Sequence, residues 1–343
     1  MSYKTAVVIG GGAFGSAIAF VLAQNFSRVL ILVRSQNIYE EINSGTNTTY
    51  LPGHKLPSNI KAVQSWEEIK SLTVDEVQLI VSGLPMSALD EFMGTHKEEI
   101  IKYFERDVVL VNLAKGIDPD TLALPDEMYL KHFGPFQDQL MYLSGPSFAQ
   151  EILEKQVTLV SLAGTHKEKL LRVCEMFNTF FFKCLPTTDV KGVLLGGSLK
   201  NVIAIAGGII EGLGYNHNTR AALITRGIVE MLRFGAFFNA RPETFYGPSG
   251  MGDLILTTTG GLSRNKSFGL EMAKGKKASE VLANTKSVVE GYKTTKAAYF
   301  LAERENINAR IFKGLYQVLY LDQDPREVIK EMMKLPSKFD EPI

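Results

Sequence analysis

The chain has 343 residues, of which 45% are hydrophobic and 22% are charged. Single hydrophobic cores stop growing near about 250–300 residues, so this length predicts two domains. Lys plus Arg and Asp plus Glu both number 37, so the formal net charge is zero. This balance excludes a protein covered with positive charge for nucleic acid, but it is compatible with a local basic pocket for a small anion.

The cellular compartment is predicted from the cysteines, the N-terminus and the apolar stretches. Cys174 and Cys184 form no CxxC pair, which is typical of free thiols in a cytosolic protein. Met1 leads directly into a strand-like run, without the basic and apolar regions of a signal peptide. Apolar stretches such as Val202–Ile210 are shorter than the ~20 residues that span a bilayer. We therefore expect a cytoplasmic protein with no membrane span.

In the first half of the chain, short apolar runs alternate with helix-like segments such as Gly15–Gln24. Continuous apolar runs separated by helices are typical of a parallel sheet covered on both faces. The predicted strands are Ala6–Ile9, Val29–Val33, Leu79–Ser82, Val108–Asn112, Met141–Ser144, Thr158–Ser161 and Phe180–Leu185.

After about residue 190 the pattern becomes helical, and clusters of Gly and Pro separate the segments. We therefore expect an α/β domain over residues 1–189 and an all-helical domain over residues 190–343. The predicted helices are Lys191–Ile210, Asn218–Asn239, Ser267–Met272, Ala278–Ala283, Lys293–Glu305 and Ile311–Leu321.

A glycine-rich turn follows the first predicted strand and opens the first helix. Its sequence, Gly10-Gly11-Gly12-Ala13-Phe14-Gly15, fits the pattern G-x-G-x-x-G. Gly10 allows a tight turn, Gly12 allows the backbone to approach a pyrophosphate, and Gly15 allows the helix to pack close to the strand. The turn and the helix N-terminus predict a dinucleotide-binding domain of the Rossmann type, with contacts from residues 10 and 12–15.

The residue after the second strand indicates which cofactor binds. NAD-dependent domains place an Asp or Glu there, but this chain has Arg34, 19 positions after Gly15. A guanidinium can pair with a 2′-phosphate, so NADP use is plausible. The alternative is a solvated Arg34 that stacks on adenine.

Six further motifs occur in a fixed order along the chain. Together with the glycine-rich turn they closely resemble the bacterial-type NAD(P)-dependent glycerol-3-phosphate dehydrogenase family, over residues 6 to about 321. The family interconverts dihydroxyacetone phosphate and sn-glycerol 3-phosphate, which feeds glycerophospholipid synthesis. The motifs are Val111–Gly116, Ser144–Glu151, Gly196–Ile205, Gly250–Leu254, Ser263–Asn265 and Val288–Tyr292.

The predicted catalytic residues are Lys200, Lys115 and Asp253, with Lys200 as the general acid and base. Lys200 lies in a glycine-rich and otherwise apolar helix start, where desolvation lowers the pKa of a lysine toward neutrality. Such a lysine suits a general acid that protonates a ketone oxygen, and a base in the reverse direction. The resemblance assigns this role to Lys200.

The resemblance implies roles for residues at the carboxyl ends of two predicted strands. Lys115 follows Val108–Asn112 and is expected to contact both substrate and nicotinamide and to polarise the carbonyl. Gly145 and Ser147 are expected to contact the substrate, with Ala149 against the cofactor. Without the resemblance, Ser147 would be interpreted as a helix N-cap.

Ser263, Arg264 and Asn265 combine a hydroxyl, a guanidinium and an amide in three consecutive residues. This combination suits a phosphate, and the resemblance assigns it that role, with Arg264 also touching the cofactor. Asp253 resembles a substrate-contacting aspartate of the family that lies near the catalytic lysine, and Thr257, four residues on, is predicted to share its helix face. The resemblance adds Asn201 as a substrate contact and Val288 and Glu290 as cofactor contacts.

Two other functions compete with this prediction. A related reductase of a β-hydroxyacid, or of a ketopantoate-type substrate, would share the two domains and the lysine. A non-catalytic NADP-binding protein would be expected to have lost Lys200 or the phosphate residues. Scattered histidines predict no metal site, the Lys274–Lys277 patch is interpreted as a solvated loop, and a homodimer is expected.

Overall fold

The computed structural model describes residues 3–73, 76–285 and 288–334. The chain groups into an α/β unit, Met1–Ala114 with Pro125–Val190, and a helical unit, Lys115–Leu124 with Lys191–Ile343. The expected ranges, 1–189 and 190–343, differ from this division mainly at residues 115–124. That segment groups with the helical unit, where the Ser198 hydroxyl donates a hydrogen bond to the Gly116 carbonyl. That residues 1–189 and 190–343 fold as separate domains stays a prediction.

The α/β unit is built on one eight-stranded sheet in the order β3-β2-β1-β4-β5-β6-β7-β8. The core strands are almost entirely apolar and buried, as a sheet covered on both faces requires. The strands are β1 (Tyr3–Ile9), β2 (Phe26–Leu32), β3 (Ile60–Val63), β4 (Val77–Ser82), β5 (Val109–Asn112), β6 (Leu140–Ser144), β7 (Thr158–Gly164) and β8 (Phe182–Thr187).

The predicted architecture, a Rossmann-type parallel sheet followed by a helical unit, is confirmed, but the last two strands of the sheet run in the opposite direction to the others. Strands β1 to β6 pair in parallel, but β7 is antiparallel to β6, and β8 is parallel to β7. A strand buried on both faces has the same apolar pattern in either direction, so the sequence pattern did not distinguish the two. The pattern also missed β3, which is only four residues long and includes an exposed Lys61.

Helices cover the sheet of the α/β unit. They are α1 (Ala13–Leu22), α2 (Gln36–Asn43), α3 (Trp66–Thr73), α4 (Leu89–Thr95), α5 (Lys97–Phe104), α6 (Pro125–Phe133), α7 (Ala149–Leu153) and α8 (Lys167–Phe177). The first of these begins at Ala13, inside the glycine-rich segment, and is buried along most of its length.

In the described part of the helical unit, the structure contains the predicted helices and the helix implied by the spacing of Asp253 and Thr257. The sequence analysis missed the helices Pro242–Tyr246 and Pro325–Lys334. A π-helical turn over Pro248–Gly252 leads into α12. The helices are α9 (Val190–Gly212), α10 (His217–Phe237), α11 (Pro242–Tyr246), α12 (Asp253–Thr259), α13 (Arg264–Met272), α14 (Ala278–Ala283), α15 (Glu290–Arg304), α16 (Arg310–Tyr320) and α17 (Pro325–Lys334).

The long helix α9 is the core of the helical unit. It is long and apolar enough to cross a membrane, but 94% of its most apolar window is buried inside the protein. Its glycines allow close packing: a Cβ on Gly208 would overlap the carbonyl oxygen of Lys266 on α13, and one on Gly269 would overlap that of Ile205 on α9. The backbones of α9 and α13 are therefore in direct contact.

Candidate active site

The glycine-rich turn of the α/β unit has the geometry of a phosphate cradle. Gly10 has a φ of +102°, which favours glycine. Gly12 is the N-cap of α1, and a Cβ there would meet no atom within 4 Å, so the space above this backbone is open. A Cβ on Gly15 would overlap the Gly10 carbonyl oxygen. The open turn and the helix N-terminus fit a dinucleotide pyrophosphate.

Asn47 supports this turn, and the sequence analysis missed it. Its side chain is 1% exposed, and its amide nitrogen donates hydrogen bonds to the Gly11 carbonyl at 2.9 Å and to the Ser16 hydroxyl at 2.8 Å. A buried amide bonded to the turn fixes the backbone that would face a phosphate. An asparagine in a polar run, Asn47-Thr48-Thr49, carries no local signal that distinguishes it from a loop residue.

The other expected contacts of the α/β unit lie close to the ends of strands. Arg34 is exposed in the short link between β2 and α2. Gly145 follows β6 with a φ of +155°, and a Cβ there would lie 2.8 Å from the Cα of Val160. The Ser147 hydroxyl donates a 3.0 Å hydrogen bond to the Gly145 carbonyl. The N-cap interpretation of Ser147 is wrong, because α7 begins at Ala149 with Phe148 as its N-cap.

In the helical unit, one buried carboxylate joins two lysines. Asp253 is 2% exposed, and its two carboxylate oxygens lie 2.7 Å from the Lys115 ammonium and 2.9 Å from that of Lys200. Lys200 also donates a 2.7 Å hydrogen bond to the Thr257 hydroxyl. That hydroxyl bonds back to the Asp253 carbonyl, which confirms that Asp253 and Thr257 share a helix face. Lys115, Lys200, Asp253 and Thr257 form the lysine pair site.

The electrostatics of the lysine pair site follow from its burial. Lys200 is 7% exposed, and burial lowers its pKa to about 8, although Asp253 acts in the opposite direction and Lys115 and Arg264 add to the lowering. Burial acts to raise the pKa of Asp253, but the charges of Lys115 and Lys200 outweigh it and hold that pKa below its usual value. The site therefore holds one carboxylate between two ammonium groups, one of which is close to giving up its proton near neutral pH.

Two local features bring these residues together. The Ser198 hydroxyl, on α9 two residues before Lys200, bonds to the Gly116 carbonyl at 3.0 Å and so fixes the turn that carries Lys115. The π-helical turn over Pro248–Gly252 ends directly at Asp253. Such turns are rare and occur frequently at functional sites.

The predicted phosphate residues lie at the start of α13. The Ser263 hydroxyl caps the helix by accepting a hydrogen bond from the Lys266 amide, and Asn265 is buried. Arg264 is the first residue of the helix and is exposed, and no hydrogen bond or ion pair joins its guanidinium to another described residue. A cation at a helix N-terminus is unfavourable by itself, so an anion bound there would be stabilised by both the helix and Arg264.

The remaining predicted residues also lie in the helical unit. Asn201 follows Lys200 on α9 and is buried, and Glu290 begins α15. Val288 is exposed in the segment before α15. Within the described ranges, no group of three or more His, Cys, Asp or Glu side chains is arranged to hold a metal ion.

Comparisons with known proteins identify the family. Models of the N-terminus and the C-terminus of NAD-dependent glycerol-3-phosphate dehydrogenase match residues 5–170 and 189–330. The glycerol-3-phosphate dehydrogenase (NAD(P)+) of Leptospira biflexa serovar Patoc is 40% identical over 328 residues, which are 95% of this chain and 96% of that protein. The chain belongs to the NAD(P)-dependent glycerol-3-phosphate dehydrogenase family. The resemblance inferred from the sequence motifs is confirmed.

Solved structures agree with this assignment. The crystal structure of glycerol-3-phosphate dehydrogenase from Coxiella burnetii has a TM-score of 0.87 and 30% identity, and covers 97% of this chain and 99% of that one. The glycerol-3-phosphate dehydrogenase of Saccharomyces cerevisiae has a TM-score of 0.81 and 27% identity, over 98% of this chain and all of that one. A putative 2-dehydropantoate 2-reductase from Enterococcus faecalis shares only the fold, at 14% identity and a TM-score of 0.51. The enzyme is therefore an NAD(P)-dependent oxidoreductase, and the ketopantoate-type alternative is disfavoured.

Proposed function

We propose that this enzyme transfers a hydride between NAD(P)H and dihydroxyacetone phosphate, giving sn-glycerol 3-phosphate reversibly, with Lys200 as general acid and base. The observation that carries the proposal is the lysine pair site: a buried lysine with a pKa of about 8, held by Asp253 beside a second lysine. The exposed Arg264 at the N-terminus of α13 supports a phosphorylated substrate, and its charge is near enough to Lys200 to lower the pKa of that lysine.

The segment over residues 10–15 fits the cofactor, because the space at Gly12 is open and Gly12 is the N-cap of α1. Ala13, Phe14, Arg34 and Ala149 from the α/β unit, with Lys115, Arg264, Val288 and Glu290, are the proposed further contacts. When bound, the cofactor supplies the hydride that reduces the ketone carbon.

The lysine pair site supplies the proton. As the ketone carbon accepts the hydride, its oxygen gains negative charge and takes a proton from the Lys200 ammonium. The Lys115 ammonium polarises the same carbonyl, and Asp253 and Thr257 orient the Lys200 amine through the bonds described above. In the reverse direction the neutral Lys200 amine accepts the hydroxyl proton. Gly145, Ser147, Asn201, Ser263 and Asn265 complete the proposed substrate contacts.

An absorbance assay tests the reaction directly. Purified enzyme is mixed with dihydroxyacetone phosphate and either NADH or NADPH, and loss of the reduced cofactor is followed. The control is a panel of 2-keto and 3-keto acids, including ketopantoate. Turnover of dihydroxyacetone phosphate well above the panel supports the proposal, and the reverse order would contradict it.

The pH dependence of the reaction should report the titration of Lys200. Reduction requires the protonated amine, so kcat/KM for dihydroxyacetone phosphate is expected to fall as pH rises through about 8. Oxidation requires the neutral amine, so kcat/KM for glycerol 3-phosphate should rise over the same interval. The substrate phosphate titrates near about 6 and does not overlap this limb. Parallel profiles for the two directions would contradict the assignment.

We further propose that Arg34 favours NADP by pairing with its 2′-phosphate. Arg34→Asp replaces attraction with repulsion, so the KM for NADPH is expected to rise far more than the KM for NADH. Arg34→Gln, which removes the charge without reversing it, serves as the control and should give an intermediate ratio. If both KM values change equally in Arg34→Asp, Arg34 does not contact the 2′-phosphate.

We propose a cytoplasmic homodimer that supplies glycerol 3-phosphate for glycerophospholipid synthesis. Two buried free cysteines support a reducing compartment, and exposed Phe237 and Phe300 on the helical unit support pairing. Lys274 and Lys276 pair with Glu271, which supports a solvated loop in place of a nucleic-acid surface. Cell fractionation and analytical ultracentrifugation test the location and the assembly.

A further inference from the structure

Three helices of the helical unit meet at one buried amide. The Asn265 side chain, on α13, donates a 2.8 Å hydrogen bond through Nδ2 to Oδ1 of Asn201 on α9. Its Oδ1 accepts a 3.0 Å hydrogen bond from the backbone N–H of Gly291, the second residue of α15. Asn201, Asn265 and Gly291 are called the amide bridge.

Each member of the amide bridge is next in sequence to a residue with a proposed role. Asn201 follows Lys200, the proton donor, and Asn265 follows Arg264, the proposed phosphate ligand. Gly291 follows Glu290, a proposed cofactor contact. The bridge uses one of the two amide hydrogens of Asn265, so the second can still serve a phosphate.

Gly291 is needed at this position because of the space around it. A Cβ on Gly291 would lie 2.6 Å from the Asn201 carbonyl oxygen, 2.7 Å from Oδ1 of Asn265 and 2.9 Å from Cδ1 of Ile205. Two of these three contacts involve residues of the bridge itself. Any larger residue would therefore push α15 away from α9 and lengthen the hydrogen bond to Asn265.

We propose that Gly291 is a positioning residue for the reaction. Its N–H holds the Asn265 amide in the orientation that bonds to Asn201, and this fixes the start of α13, and with it Arg264, relative to Lys200 on α9. The inference rests on the proposed role of Arg264 as a phosphate ligand. Gly291 touches neither substrate nor cofactor in this proposal and acts only through the bridge.

Gly291→Ala should act on the phosphorylated substrate selectively. Dihydroxyacetone lacks the phosphate, so its reduction depends on Lys200 but gains nothing from Arg264. The ratio of kcat/KM for dihydroxyacetone phosphate to kcat/KM for dihydroxyacetone therefore measures how well Arg264 is aligned with Lys200. A displacement of about 1 Å costs up to ~10²-fold in a reaction, and we expect this ratio to fall by about 10- to 100-fold. A purely structural defect would lower both values equally.

Gly207→Ala is the matched control. Gly207 is buried on the same helix as Lys200, but a Cβ there would make only ordinary contacts of 3.6 Å or more with Thr258 and Leu223. Its ratio should equal that of the unmodified enzyme.

Gly291→Ala introduces a clash and could fail to fold. Asn201→Ala breaks the bridge by deleting atoms, so it tests the same bridge without a clash. Asn201 is also a proposed substrate contact, so Asn201→Ala supports the bridge only if its ratio falls and if combining it with Arg264→Ala gives a ratio no lower than that of Arg264→Ala alone. A ratio that stays normal, or additive losses, would contradict the bridge.

Arg264→Ala separates this inference from the function on which it rests. If Arg264→Ala leaves the ratio unchanged, the phosphate role of Arg264 is wrong. If Arg264→Ala lowers the ratio but the bridge variants do not, the inference about Gly291 is overturned. If Gly291 acts through Arg264, the double variant Gly291→Ala/Arg264→Ala should have a ratio no lower than the ratio of Arg264→Ala. Additive losses in the double variant would contradict the proposal.

Discussion

Lys200→Met is expected to lower turnover of dihydroxyacetone phosphate by roughly 10²–10⁴-fold, the range for loss of a general acid. Methionine is close in length to lysine and apolar, so it suits a side chain that is 7% exposed. In the proposed mechanism the Lys115 ammonium polarises the carbonyl, so it is not expected to replace the proton donor. Stopped-flow measurement of a single turnover gives the chemical rate directly.

The Lys200 experiment needs a cofactor measurement and a matched lysine. The Kd for NADPH, from fluorescence titration, should stay near that of the unmodified enzyme. Lys266 is equally buried and pairs with Glu211 instead of Asp253, so Lys266→Met controls for the loss of a buried ammonium. Lys266→Met should lower the unfolding temperature but leave turnover close to that of the unmodified enzyme. A Lys200→Met enzyme with a near-normal kcat would exclude Lys200 as the proton donor.

Arg264→Ala is expected to lower kcat/KM for dihydroxyacetone phosphate. The corresponding loss of transition-state stabilisation should exceed the ~1.5–3 kcal/mol of a single charged hydrogen bond. The substrate is small, so most of its binding energy must come from its phosphate, and part of that energy aligns the carbonyl with Lys200. Arg264→Lys should recover only part of the activity, because an ammonium cannot make the bidentate contact. Steady-state kinetics on the three enzymes measures the effect.

Added phosphite distinguishes a phosphate ligand from a general defect. Phosphite supplied with dihydroxyacetone should raise the rate of the unmodified enzyme, but not that of Arg264→Ala. Because Arg264 is also a proposed cofactor contact, the Kd for NADPH must be measured in each variant. If the loss in Arg264→Ala equals its loss of cofactor affinity, the phosphate assignment fails and a non-phosphorylated substrate becomes the better proposal.

Local sequence patterns determined the main features of this enzyme. The strand, glycine turn and helix at the N-terminus were predictable because each depends on neighbouring residues: an apolar run, the backbone freedom of Gly10 and the periodicity of α1. The low polarity around Lys200 predicted its desolvation, which its 7% exposure confirms. The order of the motifs was sufficient to identify the family, although the individual contacts of the site residues stay predictions.

Only the tertiary structure decided the contacts between distant residues. The sequence indicated Lys115, Lys200 and Asp253 separately, but not that one carboxylate lies 2.7 and 2.9 Å from the two ammonium groups. It gave no indication of the support from Asn47, the reversal of β7 or the approach of Gly291 to Asn265. Hydrophobic periodicity reports whether a residue is buried, and carries no information about which distant residue lies against it or in which direction a buried strand runs.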